Sequence, residues 1–251
     1  MVGTFCSKIF CMEIHIGMAK VNKYATSESG DTLEVVERPN GGVSIVLADG
    51  QTSGRGAKTI STMVVRKVIS LLAEGVRDGA AARAASDTLY TERSGKVTAT
   101  LNILSADLQT GTIVITRNNP SPVFLARGEK VECITSASTS LGTSRNIRPS
   151  ITEIPLERGL TVVFFTDGIL HAGDRTGQTY DICTLLESML EVENPSSQEM
   201  ADMILAQAIR LDDNRPNDDM SVVVVRSVPA EVDQIRRMTV RLPVPPQLMP
   251  R

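Results

Sequence analysis

Three short stretches of this chain set aspartate where an apolar run starts or stops. "VLADG" ends on Asp49 and Gly50, "FFTDG" ends on Asp167 and Gly168, and "NDDMSVVVV" places Asp218 and Asp219 ahead of four valines. Two carboxylates about 4 Å apart repel by roughly 4 kcal/mol at an effective dielectric near 20, so an adjacent pair at the mouth of a buried strand calls for compensation. A solvated loop with both side chains in water is one answer, and a cation is the other. Clustered hard oxygen donors suit Mg²⁺ or Mn²⁺, whereas only His15 and His171 could offer imidazole to a zinc ion. The glycine behind each of the first two aspartates lets the backbone turn sharply and brings its carbonyl near a ligand with no side chain between. One Asp-Gly after a strand is an ordinary turn, but three such sites beside apolar strands point to a shared purpose.

The carboxylates need elements to carry them. Residues 9 to 18 alternate loosely and predict a first strand. Two strands joined by "PNGG" follow as a hairpin, the second being "VSIVLADG". Between 54 and 76 the period becomes helical, with Ile60, Val64, Val68 and Leu72 on one face. "DGAAARAASDTLYTER" predicts a second helix started by Asp78. Strands return at 97 to 105, 112 to 117, 122 to 126 and 130 to 134, and again at "GLTVVFF". Helices are predicted around 181 to 192 and 197 to 211, the latter with Ser197 as cap and Glu199 behind it. "MSVVVVRSV" closes the series, its unbroken valines implying burial on both faces. Segregated runs of strands and helices indicate α+β. Such a set cannot sit in one small sheet, so the expectation is a four-layer α-β-β-α sandwich: two antiparallel sheets flanked by helix pairs.

With 251 residues the chain suits one domain, or one domain with a tail. We expect the domain to span 1 to 228 and a Pro-rich tail 229 to 251, with Pro243, Pro245, Pro246 and Pro250, plus Arg236 and Arg237, extended or partly disordered. A net charge of −3 makes no electrostatic case for nucleic acid or an anionic membrane. Cys6, Cys11, Cys133 and Cys183 show no metal spacing and read as reduced core thiols. Nothing reads as a signal peptide or membrane span, so the expectation is a cytoplasmic protein.

"LADG" followed by "SGRGA", then "FFTDGI", then "NDDMSVVVV" closely resembles the metal-dependent PPM-type (type 2C) serine/threonine protein phosphatases. The short bacterial branch related to the sporulation phosphatase SpoIIE is the nearest group. "SGD" at Ser29 to Asp31 matches that branch's early Gly-Asp, and Leu141-Gly142 its Leu-Gly. The resemblance runs over about residues 10 to 227, and the short layout looks most like the stressosome phosphatase RsbX. It implies two Mn²⁺ or Mg²⁺ ions: Asp49 bridging them, the Gly50 carbonyl on one, Asp167 and Asp218 on the other, and Asp31 supporting the second. Asp219 would stand behind the ligands. The implied reaction is hydrolysis of phosphoserine or phosphothreonine by a metal-activated water, with Asp49, Asp167 and Asp218 as catalytic residues. No Cys-x5-Arg or Asp-x-Asp signature supports a covalent alternative. Implied substrates are phosphorylated STAS-domain proteins of a stressosome or sigma-factor switch.

The chain departs from the family in three places. It lacks the early phosphate-clamping arginine, "NNPSP" replaces a Gly-His turn, and His171 stands where the branch often has Glu. We read His171 as a loop residue rather than a general acid, and Ser53 and Gly54 as shaping the loop before the first helix. Two other functions remain open: a catalytically silent partner-binding module on the same fold, and a small-molecule phosphatase.

Overall fold

The computed structural model describes residues 11–193, 195–230, 235–241 and 243. Ten strands among them form two five-stranded antiparallel sheets. One sheet runs in the order β1 (Met12–Val21), β10 (Met220–Pro229), β9 (Leu160–Phe165), β6 (Val123–Arg127), β7 (Lys130–Ile134). The other runs β2 (Asp31–Glu37), β3 (Val43–Gly50), β4 (Ala99–Asp107), β5 (Thr112–Asn118), β8 (Ser150–Pro155). Helices α1 (Gly54–Ala73) and α2 (Asp78–Arg93) cover the second sheet. The short α3 (Asp167–Leu170), α4 (Ile182–Ser188) and α5 (Ser197–Leu211) cover the first. The expected α-β-β-α sandwich is what forms.

This layering explains the unbroken apolar strands. Antiparallel sheets usually alternate apolar with polar because one face is wet. Here Val222 and Val224 pack under α3–α5 while Val223 and Val225 meet the opposite sheet. β9 divides likewise, Val163 and Phe165 against Val162 and Phe164, as does β3, with Val46 and Ala48 against Ile45 and Leu47. Each fully buried side chain of this size contributes about 1.5–3 kcal/mol.

Several expectations change in detail. β8 has no clear pattern in the sequence; it is an edge strand with Ile151 exposed and Ile154 buried, closed by Pro155. Asp78 does not cap α2, whose N-cap is Arg77. Its carboxylate instead accepts from Arg38 at 2.7 Å and from Ser105 Oγ. Ser196, not Ser197, caps α5 and completes a capping box with Glu199, while Ser197 Oγ donates to the His15 carbonyl. None of the described cysteines is fully buried: Cys133 is exposed, Cys11 is half-buried, and half-buried Cys183 packs against the core under α3–α5; all three are free thiols. Cys6 lies outside the described residues, as do Pro245, Pro246 and Pro250. Residues 235–241 carry no helix or strand, and Arg236 reaches Glu37 at 3.2 Å and the Gly41 carbonyl at 2.7 Å.

Candidate metal centre

β2 and β3 pair so that Asp31 stands directly opposite Asp49. Like charges so placed are destabilising on a sheet. Asp167 opens α3 immediately after β9, and Asp218 precedes β10, its neighbour in the first sheet. The two sheets bring these strand ends together at one end of the sandwich. The contact is direct: Thr166 Oγ1 donates to Asp31 Oδ2 at 3.0 Å and Ser221 Oγ donates to the same oxygen at 2.6 Å. Residues from β2, β10 and the junction of β9 with α3 thus meet on one carboxylate.

The five aspartates differ in surroundings. Asp31 is fully buried, and its Oδ1 has no hydrogen-bond partner. Asp219 is also buried, but both its oxygens are used, Oδ1 by the Lys23 amide at 2.9 Å and Oδ2 by the Gly30 amide at 2.8 Å. It fixes the loop before β2 rather than waiting for a ligand. Asp49, Asp167 and Asp218 are half-buried, and Asp218 Oδ1 accepts from the Asp219 amide. A methyl placed on Gly30 would stand 3.2 Å from Asp219 Oδ2 and 3.8 Å from Asp49 Oδ1, which shows how closely these acids gather.

Electrostatics register the crowding. Burial, and then the facing Asp31, Asp167, Asp218 and Asp219, push the Asp49 carboxyl up to about 9. Burial pushes Asp31 up to about 6, although the Ser221 and Thr166 hydroxyls and Lys20 pull the other way. Asp218 is also raised, chiefly by burial, against the lowering effect of the Asp219 amide.

The glycines of the two Asp-Gly pairs have a different reason from the turn expected of them. Neither has a positive φ. A Cβ on Gly50 would collide with the Ala57 carbonyl of α1, and one on Gly168 with the Asp219 carbonyl. They let α1 and the β10 entrance approach the aspartates closely.

Does a cation fit? Among the described residues, no three acidic, cysteine or histidine side chains already close on one point as a finished metal cage. Two observations still favour a cation: the partnerless buried Asp31 Oδ1, and an Asp49 that faces four other carboxylates. The donors are all hard oxygen, which suits Mg²⁺ or Mn²⁺. His171 is exposed and bonds Asp174 at 3.0 Å, in keeping with a loop role. α1 starts at Gly54 with Ser53 as its N-cap, and the Ser53 side chain makes no cap hydrogen bond.

Four nearby residues carry no warning in the sequence analysis. Lys20 Nζ and Lys58 Nζ both donate to the Asp31 carbonyl, at 3.1 and 2.8 Å, and burial followed by Lys58 lowers the Lys20 pKa. Both are ordinary lysines on a strand and a helix, and nothing local marks them. Thr166 and Ser221 could have been suspected as hydroxyls inside "FFTDG" and "DDMSV".

Comparison with known proteins bears on the fold and the family. The family model for Stage II sporulation protein E (SpoIIE) matches residues 39–228. Stage II sporulation protein E of Priestia megaterium is 23% identical over 221 residues, covering 88% of this chain and 37% of that protein. The chain therefore spans little more than a third of that relative. The structure of the PP2C phosphatase domain and a regulatory-domain fragment of SpoIIE from Bacillus subtilis superposes with TM-score 0.76 at 22% identity, covering 88% of this chain and 64% of that one. RsbX in complex with magnesium superposes with TM-score 0.64 at 15% identity, covering 87% and 100%. These structures share the fold, and the match over residues 39–228 places the chain in the Stage II sporulation protein E (SpoIIE) family.

Proposed function

We propose that this chain is a metal-dependent protein phosphatase that hydrolyses phosphoserine or phosphothreonine. The observation that carries the reading is the gathering of Asp31, Asp49, Asp167 and Asp218 at the joined ends of the two sheets, with Asp49 pushed up to about 9 by burial and then by its acidic neighbours. Asp49, Asp167 and Asp218, with the Gly50 carbonyl and Asp31, would hold two Mn²⁺ or Mg²⁺ ions. When bound, such ions activate water at neutral pH and neutralise phosphoryl charge. The chain's own residues do the positioning. Thr166 and Ser221 orient Asp31, Asp219 holds the Gly30 and Lys23 amides, and Gly50 and Gly168 allow the close packing. Lys20 and Lys58 place positive charge beside Asp31.

The domain is taken as residues 1 to 228, with 229 to 251 as tail. By likeness to SpoIIE and RsbX, the substrates would be phosphorylated STAS-domain proteins of a stressosome or sigma-factor switch. The branch is taken to be that of RsbX, whose structure shares the fold, and the compartment to be the cytoplasm. The free thiols Cys11, Cys133 and Cys183 are in keeping with that compartment, and no described helix is long and apolar enough to cross a membrane.

The test is phosphate release from phosphorylated STAS proteins with Mn²⁺ or with chelator, using the native chain and Asp49→Asn. Metal-dependent release lost in the variant supports the reading. Partner binding without release by the native chain would instead assign a silent docking module. Turnover of metabolites but of no phosphoprotein would assign a small-molecule phosphatase.

A further inference from the structure

The outer face of α1 carries an open groove of about 670 Å³ with an uneven charge. Arg55, Lys58, Arg66 and Lys67 line it, against Glu28 and Glu92. The chain as a whole has net charge −3, so a basic groove is a local exception. Arg55, Arg66 and Lys67 are exposed, and none is in an ion pair among the described residues. Helix spacing places Arg55, Lys58 and Arg66 in one stripe with Thr62 between them, and Lys67 borders it beside Arg66. Lys58 joins the stripe to the acid centre, because its Nζ donates to the Asp31 carbonyl at 2.8 Å.

We propose that this groove binds an acidic segment of the phosphoprotein substrate, next to the phosphorylated residue. The proposal rests on the phosphatase reading above and adds a specificity determinant to it. Unpaired arginine and lysine along one helix face recognise carboxylates and phosphates, with Arg supplying the bidentate geometry. From Lys58 to Arg66 the helix rises about 12 Å, which an extended peptide covers in about four residues. Acidic side chains three to six positions from the phosphoserine would therefore reach Arg66 and Lys67. A partner of this charge also gains in association rate, an advantage that salt removes.

The experiment uses the full chain with Mn²⁺ and two synthetic phosphoserine peptides, one with glutamates at those positions and one with glutamines. The glutamate peptide is expected to show a KM about tenfold lower with similar kcat, an advantage that shrinks with added KCl. Arg66→Glu/Lys67→Glu should erase the difference, and Arg66→Gln/Lys67→Gln should halve it on a logarithmic scale. Turnover of p-nitrophenyl phosphate should stay as in the native chain for both variants, which also reports folding. Equal KM values for the two peptides, or a difference that survives Arg66→Glu/Lys67→Glu, overturns the groove. So does duplex DNA binding that the variant loses while peptide KM values stay put. If the native chain turns over neither peptide nor p-nitrophenyl phosphate, the phosphatase reading fails instead. Fluorescence anisotropy of the labelled glutamate peptide then decides the groove: binding lost in the variant upholds it, and no binding by the native chain overturns it.

Discussion

The two ends of β2 hold buried carboxylates with opposite solutions to the same problem. Just beyond its C-terminal end, Arg38 reaches Asp78 at 2.7 Å and the Val76 carbonyl at 3.1 Å, and Ser105 Oγ donates to the other Asp78 oxygen. The counter-charge there is internal and the group is closed. At the N-terminal end, Asp31 and Asp49 face each other across the pair, with Asp167, Asp218 and Asp219 close enough to raise Asp49 further. The nearby lysines spend their hydrogen bonds on a backbone carbonyl and on Thr32 rather than on the carboxylates. One end of the strand brings its own cation, and the other gathers acids, which suits the imported cation proposed above. A buried charge paired inside the fold serves structure; a buried cluster of one sign serves binding.

Asp49→Asn tests this contrast most severely. It should lower metal-dependent phosphatase activity by well over 100-fold, since even residues behind metal ligands cost about 10–100-fold. The metal-free variant should melt at a higher temperature than the native chain at neutral pH, because Asn is neutral without holding a proton that the unfolded chain releases. A lower melting temperature would mean the acids are already compensated. At the other end the effect should be on stability alone. Arg38→Met strands the buried Asp78 and should cost about 3–5 kcal/mol in urea unfolding, with Arg38→Met/Asp78→Leu recovering most of it. Folded Arg38→Met protein should keep its kcat.

Ser221→Ala removes one of two hydroxyl donors from Asp31 and should reduce Mn²⁺ affinity or activity about 10–100-fold, with a small change in melting temperature. Metal titration by calorimetry distinguishes this from loss of fold. The mildest test is pH. Asp49 and Asp31, held at about 9 and about 6 against an ordinary 3.8, keep protons that the unfolded chain has released. The stability they contribute to the metal-free chain is full below about pH 4 and is lost as pH rises toward about 9. Mn²⁺ competes with those protons, so its stabilising increment should grow across the same window. Thermal melts with Mn²⁺ or chelator check this, and Asp49→Asn should flatten both curves.

Much of this was legible without coordinates. The valines of β10 and the apolar runs of β3 and β9 reported burial on both faces, because each strand lies between a helix layer and the other sheet. Edge strand β8 was not legible, since its two isoleucines fall on different faces, Ile151 exposed and Ile154 buried, and leave no alternation to read. Asp78 was misread because its local position resembles a cap while its partner, Arg38, lies 40 residues away. The glycines of the Asp-Gly pairs were correctly singled out for the wrong reason, as close approach leaves the same residue as a turn does.

The sequence by itself determined which side chains could do chemistry and which segments were apolar enough to carry them, since both are properties of a residue and its near neighbours. Only the tertiary structure decided that Asp31 faces Asp49, that Thr166 and Ser221 share one oxygen of Asp31, and that Lys20 and Lys58 meet at its carbonyl. Those partners are up to 190 residues apart. Sheet order and register bring them together, and no local periodicity encodes either.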